Sequence, residues 1–200
     1  MINAKELVVF RLRESSEVTF LTADVCVQDI VLAAEKIFQS IRNGGKLLLC
    51  GNGGSAADCQ HMAAELVCRL TSEFNRPGIP AIALTTDTSF LTAYSNDFSF
   101  EGIYERQIEA LGKPGDVLIA ISTSGNSKNI LKAVETAKKE GIEVIVLCGE
   151  EGKIINQAPV SIKIPSKVTQ KIQETQLVVE HILCELVEHM LFDQEMATAI

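Results

Sequence analysis

The amino-acid sequence predicts an α/β fold in which a parallel sheet is covered by helices on both faces. Short apolar segments typical of strands alternate along the chain with segments whose apolar side chains recur at helical spacing. The strand segments are nearly continuous apolar runs, as expected for strands that are buried on both faces. The chain has 200 residues, 46% of them hydrophobic, which is enough for one sizeable core. We therefore expect residues 1–200 to form a single domain.

The chain is predicted to begin with two helices. Apolar side chains recur at helical spacing over residues 4–20 and 25–41, and the sequence Asn43, Gly44, Gly45 is a stop signal for the second helix.

Strands and helices then alternate. The expected strands are 46–50, 80–84, 116–122, 143–148 and 161–164, and the expected helices are 55–70, 88–94, 99–111, 127–140 and 152–157. The closing segment, 169–192, is a long predicted helix with apolar residues on one side, and its opposite side still carries Leu177, Cys184 and Leu191. A helix this apolar is expected to pack on two surfaces, which indicates a subunit interface.

Composition narrows the classes of function. The net charge is −8 and no Lys/Arg cluster interrupts the chain, which argues against a general affinity for nucleic acid. The apolar runs are much shorter than the roughly 20 residues of a membrane span, and the N-terminus lacks a signal-peptide core, so we expect a cytoplasmic protein without a membrane partner. The six cysteines show no CxxC spacing and are expected to be buried free thiols.

Two loops that follow predicted strands have the composition of phosphate sites: GNGGS at 51–55 and STSGNS at 122–127. Ligands of parallel sheets collect at the carboxyl ends of the strands, where helix N-termini offer unpaired N–H groups. In the second loop four hydroxyls could donate to phosphate oxygens, and Gly125 permits a tight turn. An ordinary turn, with Ser127 capping the next helix, would use the same residues.

The first loop has a similar design. Its glycines permit close approach of a ligand and leave Asn52 and Ser55 as polar contacts. It is not a P-loop, because no GK[ST] follows.

A titratable pair follows the first loop. His61 and Glu65 are four residues apart on one predicted helix face, and both residue types can bind a divalent metal or exchange protons. Taken alone, an ordinary surface pair is the simpler interpretation. His181 lies among apolar residues of the closing helix, so we expect a buried imidazole that needs a partner. The simpler interpretation is a core histidine bonded to the neighbouring Glu180 or to a backbone carbonyl, and the alternative is that His181 belongs to the site near His61.

Five segments together resemble the sugar isomerase (SIS) fold, and specifically the phosphoheptose isomerase family: GNGGSAADCQHMAAEL, RPGIPAIALTTDTS, SNDFSFE, GDVLIAISTSGNS and KIQETQLVVEHIL. The resemblance covers roughly residues 25–192 in uninterrupted order. It implies a flavodoxin-like three-layer sandwich with a five-stranded parallel sheet, and a homotetramer with active sites shared between subunits and helices 1–43 in its packing. It also implies the cytoplasmic conversion of sedoheptulose 7-phosphate to D-glycero-D-manno-heptose 7-phosphate, towards ADP-heptose for lipopolysaccharide core or related glycans.

The resemblance also assigns residues. The implied substrate contacts are Asn52, Gly53, Gly54, Ser55, Asn96, Asp97, Ser122, Thr123, Ser124, Ser127 and Gln173. The implied ligands of one zinc ion per subunit are His61, Glu65, Gln173 and His181, with Glu65 and His181 also the acid/base pair. Gln173 and His181 are eight residues apart, about 12 Å along a helix, so they do not easily share one ion. Gln173 then lies before or at the first helical turn, or the site borrows from another subunit.

The same fold also serves proteins that are not enzymes. The DnaA initiator-associating protein is a tetrameric scaffold with similar loops and without the acid/base residues. The presence of both Glu65 and His181 favours an isomerase, because a scaffold needs no titratable pair beside a phosphate loop. A regulatory domain would need an additional DNA-binding module. An amino-sugar isomerase is disfavoured by the spacing of His61 and Glu65 together with the KIQE segment.

Overall fold

The computed structural model describes residues 3–192. Its helices are α1 (Ala4–Val25), α2 (Val27–Arg42), α3 (Gly54–Val67), α4 (Thr88–Asp97), α5 (Ile103–Leu111), α6 (Lys128–Lys139) and α7 (Thr169–Phe192). Its strands are β1 (Leu47–Cys50), β2 (Ala81–Ala83), β3 (Val117–Ser122), β4 (Glu143–Gly149) and β5 (Val160–Ile164). None of the described helices combines the length and the apolar character that a membrane crossing requires.

The five strands form one parallel sheet in the order β2-β1-β3-β4-β5. The chain steps from β1 outward to β2 and then returns to β3 on the other side of β1. This reversal places the carboxyl ends of β1 and β3 side by side, with Cys50 paired to Ala120. Such a switch point opens a crevice for ligands in flavodoxin-like sheets. The predicted fold class is confirmed.

Helices cover both faces of the sheet and enclose two apolar cores. Alternate side chains of a strand point to opposite faces, so Leu47 and Leu49 enter one core and Leu48 and Cys50 enter the other. Helices α2, α3 and α7 pack on the first face, and α5 and α6 pack on the second. The candidate acid/base residues therefore lie on two helices, α3 and α7, that share one layer.

Most predicted elements agree with the structure to within a few residues. The predicted helix 99–111 is divided into a 3-10 turn, Phe100–Gly102, followed by α5, and the predicted helix at 152–157 is the 3-10 helix Lys153–Gln157. Helix α3 ends at Val67 rather than at residue 70, because the Arg76 side chain takes up the carbonyl groups of its last turn. All six cysteines are free thiols, and Cys68 differs from the prediction in being exposed.

Candidate active site

The two glycine- and serine-containing loops lie side by side at the switch point of the sheet. GNGGS joins β1 to the N-terminus of α3, and STSGNS joins β3 to the N-terminus of α6. Gly53 adopts a φ of 58° as the residue that precedes α3, and Gly125 adopts a φ of 62°. A Cβ at Gly125 would lie 2.8 Å from the carbonyl oxygen of Glu151, so both the turn and the packing of this loop require glycine.

The hydroxyl groups of STSGNS are not consumed by capping. Ser127 precedes α6, but its side chain accepts no hydrogen bond from the helix; instead the Ser122 hydroxyl donates to it at 3.4 Å. The Ser124 hydroxyl accepts a 3.3 Å bond from the backbone N–H of Asn126 and is otherwise exposed. The ordinary capping turn considered from the sequence is therefore wrong for Ser127. The Ser127 hydroxyl is therefore not used to cap α6, whose N-terminus follows this loop.

A cleft of about 500 Å³ lies beside GNGGS, between that loop and helices α4 and α5. Its polar lining includes Asn52, Thr85, Thr92, Ser95 and Tyr104. The predicted contacts Asn96 and Asp97 end α4 outside this lining, are exposed, and form a 2.8 Å hydrogen bond with each other. Ser55 is buried behind the loop at the start of α3.

A second depression, of about 240 Å³, lies on the other side of STSGNS. Thr123 and Ser124 line it together with Ser166, Lys167 and Glu151. The Lys167 ammonium forms an ion pair with the Glu151 carboxylate across the depression. Among the predicted substrate contacts, Asn52 and Gly53 line the first cleft, and Thr123 and Ser124 line this depression. The others line neither hollow: Gly54, Ser55, Asn96, Asp97, Ser122, Ser127 and Gln173.

The imidazoles of His61 and His181 face each other between α3 and α7. Their Nε2 atoms are 2.8 Å apart, and the rings meet edge to face at 69°. The Glu65 Oε1 atom lies 3.8 Å from His61 Nε2, one helical turn further along α3. His181 is exposed, so the expected buried imidazole is wrong: α7 presents this residue at its border with α3 rather than in the core. Instead of an isolated core histidine, the structure has a cluster of His61, His181 and Glu65 at this border, which we call the His–His–Glu corner.

Gln173 occupies the other end of the same α3/α7 border. It is the fifth residue of α7, past the first turn, and its amide donates to the Asp58 Oδ2 atom at 3.3 Å. A Cβ at Gly54 would overlap the Gln173 amide, so the glycine makes room for this side chain beside the loop. Burial raises the pKa of Asp58, while the bond from Gln173 and the nearby His61 imidazole oppose that shift.

The donor atoms of these residues suit zinc, which binds imidazole nitrogen and carboxylate oxygen. Two of the four expected ligands, His61 and His181, have their Nε2 atoms 2.8 Å apart, within hydrogen-bond distance of each other, and Glu65 is adjacent. Gln173 is instead bonded to Asp58. Over residues 3–192 no three His, Cys, Asp or Glu side chains are assembled closely enough to hold a metal ion. The residue types therefore fit the ion, and the arrangement supplies two neighbouring imidazoles rather than a complete ligand set.

Three residues of this region were missed by sequence reasoning. Asn129, in the first turn of α6, bonds to Asn52 across the two loops. Asp58 precedes His61 by three residues on α3 and binds Gln173. The buried Tyr104 hydroxyl donates to the carbonyl oxygen of Gly51 at the start of the first loop. For Asp58, its place three residues before His61 on one helix face was a usable signal; the other two contacts depend on the tertiary fold.

Comparisons with known proteins agree with this geometry. The model of the SIS domain family matches residues 22–149. A phosphoheptose isomerase of Roseiflexus sp. (strain RS-1) is 46% identical over 188 residues, covering 94% of each chain. A phosphoheptose isomerase of Shewanella sp. (strain ANA-3) is 46% identical over 186 residues, covering 91% of this chain and 93% of that protein.

Solved structures of the same kind superpose closely. The phosphoheptose isomerase GmhA from Neisseria gonorrhoeae is 40% identical, with a TM-score of 0.85, over 92% of this chain and 98% of its own. A phosphoheptose isomerase from Francisella tularensis is 34% identical, with a TM-score of 0.89, over 94% of this chain and 100% of its own. With two strand-end loops, a His–His–Glu corner and relatives that match nearly end to end, the chain belongs to the phosphoheptose isomerase family of SIS-domain proteins.

Proposed function

We propose that this chain is an aldose-ketose isomerase that converts sedoheptulose 7-phosphate to D-glycero-D-manno-heptose 7-phosphate, a step towards ADP-heptose for lipopolysaccharide core. The observation that carries the proposal is the corner formed by His61, His181 and Glu65, where the two Nε2 atoms are 2.8 Å apart on helices that border the GNGGS loop. The family relationship supports the same reaction.

The reaction moves a carbonyl group from C2 to C1 of the open-chain sugar through an enediol. The Glu65 carboxylate removes a proton from C1 while the His181 imidazole protonates the oxygen on C2. In the second half Glu65 returns its proton to C2, and His181 accepts the proton of the oxygen on C1. No atom is lost or gained overall. Both groups are accessible from the border between α3 and α7, where a linear sugar can reach them.

The phosphate of the substrate is assigned to STSGNS. Its hydroxyls are free of helix capping, and the loop leads into the N-terminus of α6, where unpaired N–H groups and the helix dipole favour an anion. Binding energy from the phosphate is remote from C1 and C2, so it can hold the reacting carbons in position beside Glu65 and His181. Asn52, Gly53, Gly54 and Ser55 are assigned to the sugar.

One zinc ion per subunit is part of the proposal. His61, Glu65 and His181 are the residues that would hold it, with Gln173 as the fourth ligand once it leaves Asp58. When bound there, zinc would supply Lewis-acid polarisation of the substrate carbonyl oxygen.

We also propose that the enzyme is a cytoplasmic homotetramer with active sites shared between subunits. A groove between α1, α2 and α7 has an almost entirely apolar lining that includes Ile30, Val31, Val178 and Ile182. Helix α1 exposes further large apolar side chains, among them Leu12 and Phe20. Surfaces of this kind support association with further copies of the chain. The free cysteines support a reducing compartment.

The scaffold alternative is not favoured. A binding platform requires neither a carboxylate nor an imidazole pair at the border between α3 and α7, and this chain has both. The matched relatives are isomerases by name over nearly their whole length.

Turnover of sedoheptulose 7-phosphate, followed by chromatography of the sugar phosphates, tests the proposal. We expect the wild-type protein to form a heptose 7-phosphate, chelation to suppress this and zinc to restore it. Glu65→Gln should retain the oligomer and lose at least about 100-fold in kcat, because the general base is removed. Glu135→Gln, which changes an exposed carboxylate on α6, is the matched control. Substantial residual turnover by Glu65→Gln would remove Glu65 from the mechanism, and unaltered turnover after chelation would remove zinc.

A further inference from the structure

The two substrate loops are connected by a pair of side-chain amides. The Asn52 Nδ2 atom donates to Asn129 Oδ1 at 2.9 Å, and the Asn129 Nδ2 atom donates back to Asn52 Oδ1 at 2.8 Å. Asn52 belongs to GNGGS after β1, and Asn129 lies two residues beyond STSGNS in the first turn of α6. The two bonds therefore cross the switch point of the sheet and join residues that are 77 positions apart in sequence.

Asn129 is the fixed member of this pair. It is only 3% exposed, and its Oδ1 atom also accepts a 3.0 Å bond from the backbone N–H of Ile130. That N–H is one of the first amides of α6, which have no partner within the helix. Because the Asn129 oxygen is held by this amide, its nitrogen must point towards Asn52. The orientation of one amide then determines that of the other.

The pairing with Asn129 fixes the direction in which the Asn52 amide presents its remaining hydrogen-bonding groups. Asn52 is half-buried and lines the cleft of about 500 Å³ beside GNGGS. One of its two N–H groups and one lone pair of its oxygen are used by Asn129. Its second N–H and second lone pair are left for a sugar hydroxyl in the cleft, in a geometry that cannot be reversed by rotation of the amide without breaking both bonds.

We propose that Asn129 is a positioning residue for substrate binding, which acts by holding the Asn52 amide in one orientation and the two loops at a fixed separation. This inference rests on the proposed function, since it concerns the same substrate. Asn129 itself does not touch the sugar; its effect is transmitted through Asn52.

A double-mutant cycle in the full-length protein tests this assignment. Asn129→Ala should raise the KM for sedoheptulose 7-phosphate about tenfold, the size expected for one oriented hydrogen bond, and change kcat by less than about threefold. In an Asn52→Ala background the same substitution should have no further effect on KM, because the amide that it orients is absent. Thr136→Ala is the matched control: Thr136 is a buried polar residue of α6 whose hydroxyl donates to Glu105 at 3.5 Å, and the KM of this variant should stay at the wild-type value.

Two results would overturn the assignment. Additive effects of the two asparagine substitutions on KM would show that Asn129 acts independently of Asn52. An unchanged KM with a lowered melting temperature would reduce Asn129 to a helix cap.

Calorimetric titration with sedoheptulose 7-phosphate separates this inference from the proposed reaction. Binding by the wild type without turnover would refute the reaction. The double-mutant cycle of Asn52 and Asn129 would then compare Kd values instead of KM values. Absence of both binding and turnover would refute both proposals.

Discussion

Two polar residues of α7 are buried without hydrogen-bond partners. Among the described residues, the amide atoms of Gln176 and both carboxylate oxygens of Glu180 find no donor or acceptor, and each residue is 0% exposed. Burial raises the pKa of Glu180 to about 9, and the charge of Asp58 acts in the same direction. Glu180 therefore stays protonated in the folded protein at neutral pH. Such a group is costly to bury, typically by about 1–3 kcal/mol.

Replacing Glu180 should stabilise the protein, and more so at alkaline pH. The unfolded chain releases this proton near pH 4.5 and the folded chain near pH 9, so the contribution of Glu180 to the free energy of unfolding falls as the pH rises between those values. We expect Glu180→Leu to be more stable than the wild type by at least about 1–3 kcal/mol, the cost of the unpartnered polar group, with a clearly larger difference at pH 8 than at pH 5 because ionisation in the unfolded chain adds to it. Urea denaturation at both pH values, at one protein concentration, measures this.

Glu180→Gln separates ionisation from burial. It should remove the pH dependence and keep the cost of an unpartnered polar group, so its stability at pH 8 should lie between those of the wild type and Glu180→Leu. The titratable groups that interact electrostatically with Glu180 are the same in all three proteins: Asp58, Cys59 and Cys184. A pH dependence that is the same in all three would contradict the raised pKa.

At the residue scale, sequence reasoning succeeded where a motif carries its own geometry. His61 and Glu65 are related by one helical turn, which a sequence displays directly. The pairing of His61 with His181 was only one of the alternatives left open by the sequence, because the exposure of His181 depends on how α7 packs against α3. The Asn52–Asn129 pair could not be predicted, since its members become neighbours only when β1 and β3 pair in the sheet.

At the scale of elements, α3 and α7 are held together at their far ends by a buried ion pair. The Arg76 guanidinium binds the Glu188 carboxylate of α7, with Nε at 2.7 Å from Oε1. Arg76 also donates to the backbone carbonyls of Leu66 and Glu65, at 2.6 and 2.8 Å. One side chain thus closes the last turn of α3, which carries the proposed base, and attaches it to the helix that carries His181.

We expect Glu188→Gln to destabilise the fold by about 3–5 kcal/mol, because it leaves the Arg76 charge buried without a counter-charge. The measurement is urea denaturation at a fixed protein concentration. Glu109→Gln is the control, since it breaks the exposed 3.5 Å pair with Arg106 and should cost less than about 1 kcal/mol. If the two variants lose equal stability, the buried pair does not hold α3 to α7.

The sequence pattern located these elements well and their ends less well. Apolar periodicity and glycine or proline signals define where a helix can run, which is why 169–192 was predicted at its observed limits. The early end of α3 was missed because the group that closes it, Arg76, comes from a loop nine residues further on. Arg76 begins the RPGIP segment that leads into β2, so this loop also closes the last turn of α3.

At the scale of the whole molecule, the sheet type was predictable and the strand order was not readable from pattern alone. Continuous apolar runs such as VLIAIS in β3 indicate strands buried on both faces. Whether β3 lies beside β1 or beside β2 depends on pairings between distant segments, and the resemblance to a family predicted only that the sheet is flavodoxin-like, with five parallel strands. The site follows from that order, because the two loops meet only at the β1/β3 border.

The exposed apolar face of α1 is a candidate surface for contact between subunits. Phe20 is 72% exposed, and it lies on the same helix as the residues that form one wall of the apolar groove against α7. A charge there would have to be buried if subunits pack on this face, and would remain solvated if they do not. We therefore expect Phe20→Asp to shift the protein from the proposed tetramer to smaller species in light scattering coupled to size-exclusion chromatography. Its folded helical content should be retained, because Phe20 contributes nothing to the monomer core.

Leu111→Asp provides the matched control for that measurement. Leu111 is also an exposed apolar residue, but it ends α5 on the opposite face of the sheet, so this variant should keep the wild-type mass. Turnover adds a second readout: if active sites are shared between subunits, Phe20→Asp should lose activity in proportion to the loss of tetramer, and higher protein concentration should restore both. A dissociated variant with full activity would show that each subunit contains a complete site. A Phe20→Asp protein with unchanged mass would exclude this face of α1 from the interface.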